Sequence, residues 1–152
     1  TSSAALPVSM EVAPKKMGVP RDIASFVLPL GCTAQMNGTC AYFGIVVLFA
    51  AQLYGVELSI QQQIMLVVQA TFLSVGCAAT PQIGLVISLT LMTQMGLPLD
   101  AYALVAGIYR IIDQIHTSTN SVGDLVASVC ISQMEGELDH DIFNQEEAKK
   151  AA

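Results

Sequence analysis

The polar side chains of the last apolar stretch, residues 101–134, have types and a spacing that suit chemistry. They recur at steps of three and four residues, in the order Arg110, Asp113, Thr117, Asn120 and Asp124. On a helix this spacing places them along one stripe, which His116 flanks. In that stripe Asp113 and Thr117 suit an ammonium group and a neighbouring polar group of a small solute. Asn120 and Asp124 offer side-chain oxygen atoms to a sodium ion.

The apolar surroundings make the charges of this stripe costly. The chain has 152 residues, of which 53% are hydrophobic and 12% are charged, whereas about 25% are charged in an average soluble domain. A charge at the centre of a membrane helix costs at least ~2.5 kcal/mol, so a row of charges is retained only where it faces partners, water or the path of a solute. The alternative is a satisfied polar seam in which Arg110 pairs with Asp113.

Composition and motifs exclude several function classes. The net charge is -6, with only six Lys and Arg residues and no Trp, so no basic face is available to neutralise the phosphates of a nucleic acid. His116 and His140 are too far apart for a zinc site, and no G-x-S-x-G turn accompanies a Ser, His and Asp set. We therefore expect a protein that is not an enzyme and that binds no organic cofactor.

The uncharged run over residues 23–56 is too long for one straight membrane crossing and too short for two. Its centre, residues 31–39, is polar and contains Gly31 and Gly38, and Gln35 and Asn37 add amide groups. This pattern predicts a broken transmembrane helix, whose freed carbonyl groups could bind an ion. A helix-loop-helix that uses Asn37 and Gly38 only to turn remains an equal alternative.

The uncharged run over residues 58–99 has the length of two crossings, but its middle is interrupted by Gly76, Pro81 and Gly84. Because a water-exposed loop would more often carry charge, the run predicts a re-entrant helical hairpin whose tip stays at membrane depth. Two full spans joined outside the membrane are the alternative.

The ends of the chain give an orientation. Lys15, Lys16 and Arg21 precede the first span, which predicts that this end is cytoplasmic. The acidic tail is expected to be a cytoplasmic extension, and the chain looks truncated at its front because it lacks an initiator Met.

The predicted fold is an all-α membrane protein in five parts: the end of a first hairpin and its connection (1–22), a broken helix (23–56), a re-entrant hairpin (57–100), an amphipathic final span (101–134) and the tail (135–152).

These segments resemble one known family over nearly the whole chain, from Thr1 to about Gly136: the dicarboxylate/amino-acid:cation symporters, which include the glutamate transporters. The resemblance rests on ordered motifs: the serine-rich start Thr1-Ser2-Ser3 with Leu6-Pro7-Val8, the segment 26–31, Gln35-Met36-Asn37-Gly38-Thr39, the segment 74–81, and Asp113, Thr117, Asn120, Gly123 and Asp124. In the family these correspond to the first hairpin tip, the broken seventh helix, the second hairpin tip and the eighth helix.

The resemblance implies a substrate site and sodium sites. By this similarity the substrate would be lined by Ser2, Thr39, Thr80, Asp113, His116, Thr117 and Asn120, with Asp113 receiving an amino group. One sodium ion would be held by Gly31, Asn120 and Asp124. A second would use carbonyl groups around Thr33, Ser74, Val75 and Cys77, with the sulfur of Met36 nearby. It also implies a homotrimer in a plasma (bacterial inner) membrane, whose mobile transport domains move like elevators against N-terminal scaffold helices that this chain lacks.

Four positions depart from the family pattern and shape the substrate expected here. His116 stands where carriers of acidic amino acids have an arginine, and a neutral imidazole lacks the bidentate grip of a guanidinium on a carboxylate. Gln35 and Asn37 replace an Asn and an Asp, and Tyr109 occupies a position that is often acidic. We therefore expect sodium-coupled symport of a neutral or polar amino acid. An acidic amino acid or dicarboxylate, or a non-transporting membrane assembly subunit, are the alternatives.

Overall fold

The computed structural model describes residues 1–77 and 81–150, with side chains up to residue 145. Over those residues the chain is all-helical, as the sequence predicts. Seven helices follow one another there: α1 (Ser2–Lys16), α2 (Arg21–Ala34), α3 (Asn37–Leu53), α4 (Ile60–Val75), α5 (Ile83–Gln94), α6 (Asp100–Glu135) and α7 (His140–Lys150).

Helices α2 and α3 form one apolar stretch that is interrupted at Gln35 and Met36. Within the described chain, the stretch Arg21–Leu53 contains 33 residues and is long and apolar enough to cross a membrane. At the break, Gln35 N–H still donates to the Gly31 carbonyl at 2.7 Å, and Cys40 N–H donates to the Met36 carbonyl at 2.9 Å. The interruption lies inside the polar centre at 31–39, where two glycines disfavour helix.

Helices α4 and α5 are apolar but short, with 16 and 12 residues. Since a crossing takes about 20 helical residues, their lengths favour a hairpin over two full spans. Ser59 and Gln62 form a capping box that starts α4, and Gln82, with φ of 64°, starts α5 from a left-handed conformation. The tip between them contains residues 78–80, which lie outside the described part of the chain.

Helix α6 packs against both halves of the molecule and so determines where the polar groups meet. One apolar cluster is centred on α3, where Phe43 is fully buried together with Leu91 and Met92 of α5. A second cluster joins α1 and α2 through Ala13 and Leu28, with Leu125 and Val129 of α6 packed against it. The polar section of α6 therefore lies between two apolar supports.

The buried stripe of α6 differs from the predicted one. Its buried members include Tyr109, His116, Asn120, Asp124, Ser128 and Ser132. His116 thus lies on the stripe rather than beside it, Asp113 and Thr117 lie at its edge, and Arg110 is exposed. The physical reason is that the packed face follows steps of four residues, a row inclined to the helix axis, whereas the predicted stripe mixed steps of three and four.

Large apolar side chains are exposed around the outside of the described chain. Phe26 is 71% exposed, Phe72 75% and Ile45 68%. Apolar surface of this extent suits contact with lipid or with further protein segments.

The close approach of α3 to α6 at Gly38 gives a stability prediction. A Cβ at Gly38 would collide with the carbonyl oxygen of His116 and the side chain of Thr119, whereas a Cβ at Gly44 would meet no atom within 4 Å. We expect Gly38→Ala to destabilise the detergent-solubilised protein by about 1–3 kcal/mol through overpacking. The control Gly44→Ala removes a glycine from an open position on the same helix, so it leaves stability unchanged or raises it by about 0.5–1 kcal/mol.

Thermal unfolding followed by circular dichroism measures both variants. Equal melting temperatures for Gly38→Ala and Gly44→Ala would contradict the close helix contact.

Candidate functional site

A narrow cavity of about 30 Å³ lies where the start of α1, the helix break, the hairpin and α6 meet. This volume has room for about one water molecule. Its lining comprises Thr1, Ser2, Met36, Thr39, Cys77, Pro81, Ile83, Gly84, Tyr109, Asp113, His116, Thr117 and Asn120. Six of the predicted substrate residues are among them, and the seventh, Thr80, lies outside the described residues.

The side chain of Asn120 fastens the helix break onto α6. Its Oδ1 accepts the backbone N–H of Gly38 at 2.8 Å and that of Thr39 at 3.4 Å. Its Nδ2 donates to Thr39 Oγ1 at 3.0 Å and to Met36 Sδ at 3.2 Å. The two N–H groups belong to the first turn of α3, where a helix has no partners of its own, so Asn120 supplies the missing acceptor.

His116 is enclosed by polar and aromatic groups on several sides. Its Nδ1 lies 3.3 Å from Thr39 Oγ1, and its Nε2 lies 3.1 Å from Asp113 Oδ1 and 3.4 Å from the Tyr109 hydroxyl. The ring stacks on Tyr42, with centroids 5.3 Å apart and planes at 25°. The predicted alternative of an Arg110 to Asp113 seam is replaced by this pairing of Asp113 with His116.

These contacts determine where the protons of His116 lie. When Asp113 is a carboxylate its Oδ1 only accepts, so Nε2 then carries a hydrogen, because two acceptors at 3.1 Å would repel each other. In the neutral ring Nδ1 is then the acceptor and takes the hydroxyl hydrogen of Thr39. This assignment follows from the partners rather than from observed hydrogens. The hydrogen bonds therefore form a series in which Asn120 donates to Thr39, Thr39 to His116 and His116 to Asp113.

The predicted first sodium set is brought together beside the break. A Cβ at Gly31 would collide with Asp124 Oδ1, so the carboxylate occupies the space that this glycine leaves open. Gln35 Nε2, with its amide oriented by its neighbours, donates to Asp124 Oδ1 at 2.9 Å and to the Asn120 carbonyl at 3.1 Å. Carboxylate and carbonyl oxygens are the ligands that suit Na⁺ at a broken membrane helix, so the residues fit the ion.

The sequence analysis expects Asn120 to offer its side-chain oxygen to sodium, and this oxygen has other partners in the structure. The side-chain oxygen of Asn120 is already occupied by the N–H groups of Gly38 and Thr39. It is the backbone carbonyl of Asn120 that lies near Asp124, since both accept from the same Gln35 amide. A cation beside Asp124 would therefore meet the main-chain carbonyl of Asn120 rather than its side chain.

The predicted second sodium set is only partly assembled in the described residues. Met36 and Cys77 are both buried and line the same cavity. Ser74 is buried, and its carbonyl accepts the Cys77 N–H at 3.2 Å. Thr33 and Val75 are exposed, and the Thr33 hydroxyl donates to the Leu30 carbonyl at 2.8 Å. Within the described chain no three His, Cys, Asp or Glu residues cluster, and a sodium site built from backbone carbonyl groups does not need such a cluster.

The predicted substrate residues do not include two aromatic members of the site. Tyr109 and Tyr42 both contact His116, and their rings are 5.6 Å apart. Tyr109 precedes His116 by seven residues, which is two helical turns and the same face. That spacing was the available signal, but an aromatic residue at helical spacing is equally typical of an apolar core.

Comparisons with known proteins identify the family to which the chain belongs. The family model described as "Sodium:dicarboxylate symporter family" matches residues 1–134. The chain is 35% identical over 136 residues to the proton/sodium-glutamate symport protein of Bacillus caldotenax, which covers 90% of this chain and 31% of that protein. It is 37% identical over 143 residues to an excitatory amino acid transporter of Caenorhabditis elegans, covering 93% and 28%.

A third relative, the proton/sodium-glutamate symport protein of Bacillus subtilis, is 39% identical over 136 residues, covering 90% of this chain and 32% of that protein. The chain thus spans about a third of the length of these curated relatives. Because the family model covers most of the chain and includes the residues that build the cavity, the chain belongs to the sodium:dicarboxylate symporter family of integral membrane transporters.

Proposed function

We propose that this chain forms the binding part of a sodium-coupled symporter for an acidic amino acid or a related dicarboxylate. The observation that carries the proposal is the cavity in which Asp113, His116 and the broken helix meet. Beside it, the Asp124 carboxylate occupies the space that Gly31 leaves open. The relatives named as glutamate carriers support an acidic substrate. They give no support to the neutral or polar amino acid favoured from the sequence, and the acidic alternative fits better.

The lining of the cavity offers complementary charge for such a solute, although its volume of about 30 Å³ has to widen to admit one. Asp113 presents a carboxylate to an amino group, and its Oδ1 already accepts from His116. Thr1 and Ser2 line the same cavity at the start of α1, whose first turn contains no acidic residue. Their hydroxyl groups can donate hydrogen bonds to a carboxylate. An amino acid would therefore find an anion partner at Asp113 and hydroxyl donors at Thr1 and Ser2.

The cation site lies next to the solute site and shares Asn120 with it. Asp124 and the carbonyl groups of Gly31 and Asn120 would hold Na⁺, and the bound ion would supply positive charge to a carboxylate-rich region. The second set, around Thr33, Met36, Ser74, Val75 and Cys77, is proposed for a further sodium ion. We also propose that the complete carrier contains N-terminal scaffold helices, assembles as a homotrimer in the plasma membrane of a bacterium, and has its C-terminal tail in the cytoplasm.

The substrate class is tested by uptake into proteoliposomes containing the complete carrier, meaning this chain together with the segments that its relatives add. We expect an inward sodium gradient to drive uptake of labelled aspartate, glutamate or succinate more strongly than uptake of serine or alanine. Empty liposomes and an equal potassium gradient are the controls. Sodium-driven uptake confined to neutral amino acids would overturn the substrate assignment.

The cation role of Asp124 is tested by Asp124→Asn. The change removes the negative charge beside Gly31. It should raise the sodium concentration for half-maximal uptake on the order of tenfold or more, because metal affinity falls by such factors even when only a group that hydrogen-bonds a metal ligand is lost. Asp100→Asn is the matched control, since Asp100 is exposed in the first turn of the same helix. An unchanged sodium response in Asp124→Asn would remove this residue from the site.

Ligand-linked stability separates a carrier from an assembly subunit. Sodium and an acidic substrate together should raise the melting temperature of the complete carrier, because a ligand at 100 times its dissociation constant stabilises by about 2.7 kcal/mol. Sodium alone should give a smaller shift, and potassium none. A melting temperature that does not respond to sodium and substrate would favour the assembly subunit, whose polar stripe pairs with another protein.

A further inference from the structure

The hydroxyl of Tyr109 is a polar group of the cavity wall to which the proposed function assigns no role. The residue is 3% exposed and lines the cavity. Space for its hydroxyl comes from Gly84 on α5, where a Cβ would press against the Tyr109 oxygen. The hydroxyl is therefore held inside the protein between α5 and α6.

The neighbouring histidine does not accept the hydroxyl hydrogen of Tyr109. The Tyr109 oxygen lies 3.4 Å from His116 Nε2, but the Asp113 carboxylate at 3.1 Å requires that this nitrogen carry a hydrogen of its own. The conclusion is the same for the neutral and the doubly protonated ring. Among the described residues this hydrogen then has no acceptor, and since a buried tyrosine hydroxyl usually finds a partner, it is available to an acceptor that enters the cavity.

Two other side-chain donors near Tyr109, on His116 and Asn120, are already engaged. The N–H at His116 Nε2 points to Asp113. The amide of Asn120 donates to Thr39 and to Met36. An acidic solute that has placed its amino group at Asp113 consequently meets the Tyr109 hydroxyl as a donor that is not yet used.

We propose that Tyr109 is a specificity-determining residue that donates its hydroxyl hydrogen to the second carboxylate of an acidic substrate. The inference deepens the proposed function and depends on it. The Asp113 Oδ1 and the Tyr109 hydroxyl lie 3.1 Å and 3.4 Å from the same nitrogen, His116 Nε2, so the two groups are close enough for one short dicarboxylic amino acid to reach both. The hydroxyl thus supplies one of the contacts that an arginine at position 116 would otherwise make.

The test measures aspartate binding to the complete carrier in saturating sodium, by isothermal titration calorimetry, for the wild type, Tyr109→Phe and Tyr102→Phe. We expect Tyr109→Phe to weaken aspartate binding about tenfold or more, the effect of losing one hydrogen bond to a charged acceptor. Tyr102→Phe is the matched control: Tyr102 is on the same helix and packs against the apolar cluster around α3, so its hydroxyl should not matter for aspartate.

A second measurement separates donation to the substrate from support of His116. The melting temperature in sodium without substrate should be the same in Tyr109→Phe and the wild type, because the ring and its packing remain. Unchanged aspartate affinity would overturn the proposal. So would a loss of affinity accompanied by a lower substrate-free melting temperature, since that result assigns Tyr109 a structural role. A wild-type carrier that binds no aspartate in sodium would refute the proposed function itself, and the Tyr109 proposal with it.

Discussion

The contact between the Asn120 side chain and the start of α3 is the interaction on which the site depends. A helix that stops and restarts within a membrane leaves N–H and C=O groups without partners, and each such group is costly where no water can reach it. Asn120 accepts from the N–H groups of Gly38 and Thr39, and Gly38 lets the two helices come close enough for this. The break at Gln35 and Met36 is therefore stabilised from α6.

The same residue joins the two halves of the site. On one side a directed series of hydrogen bonds leads from Asn120 through Thr39 and His116 to Asp113. On the other side the Asn120 carbonyl and Asp124 accept from one Gln35 amide. A cation bound to the Asn120 carbonyl and a solute bound to Asp113 would both affect the position of Asn120. This shared support gives a physical reason for sodium and substrate to bind together.

Much of this arrangement follows from local sequence. The glycines and polar residues at 31–39 predict the broken helix, and Gly76, Pro81 and Gly84 predict an interrupted hairpin, because these residues act on the backbone nearby. The placement of His116 inside the buried stripe, with Arg110 outside it, does not follow, since it depends on how α6 packs against α2 and α3. The contact of Gln35 with Asp124 does not follow from local sequence either, because it joins elements far apart in the chain. The presence of Tyr109 in the site does not follow, since an aromatic residue at helical spacing is equally typical of an apolar core.

A cryo-EM map of the complete carrier prepared with sodium and aspartate tests the role of Asn120 most directly. We expect density for aspartate between the start of α1 and Asp113, density for a cation between Gly31 and Asp124, and an Asn120 side chain still bonded to the N–H of Gly38. Aspartate bound elsewhere, or an Asn120 side chain turned away from the helix break in the loaded state, would show that Asn120 does not join the two sites.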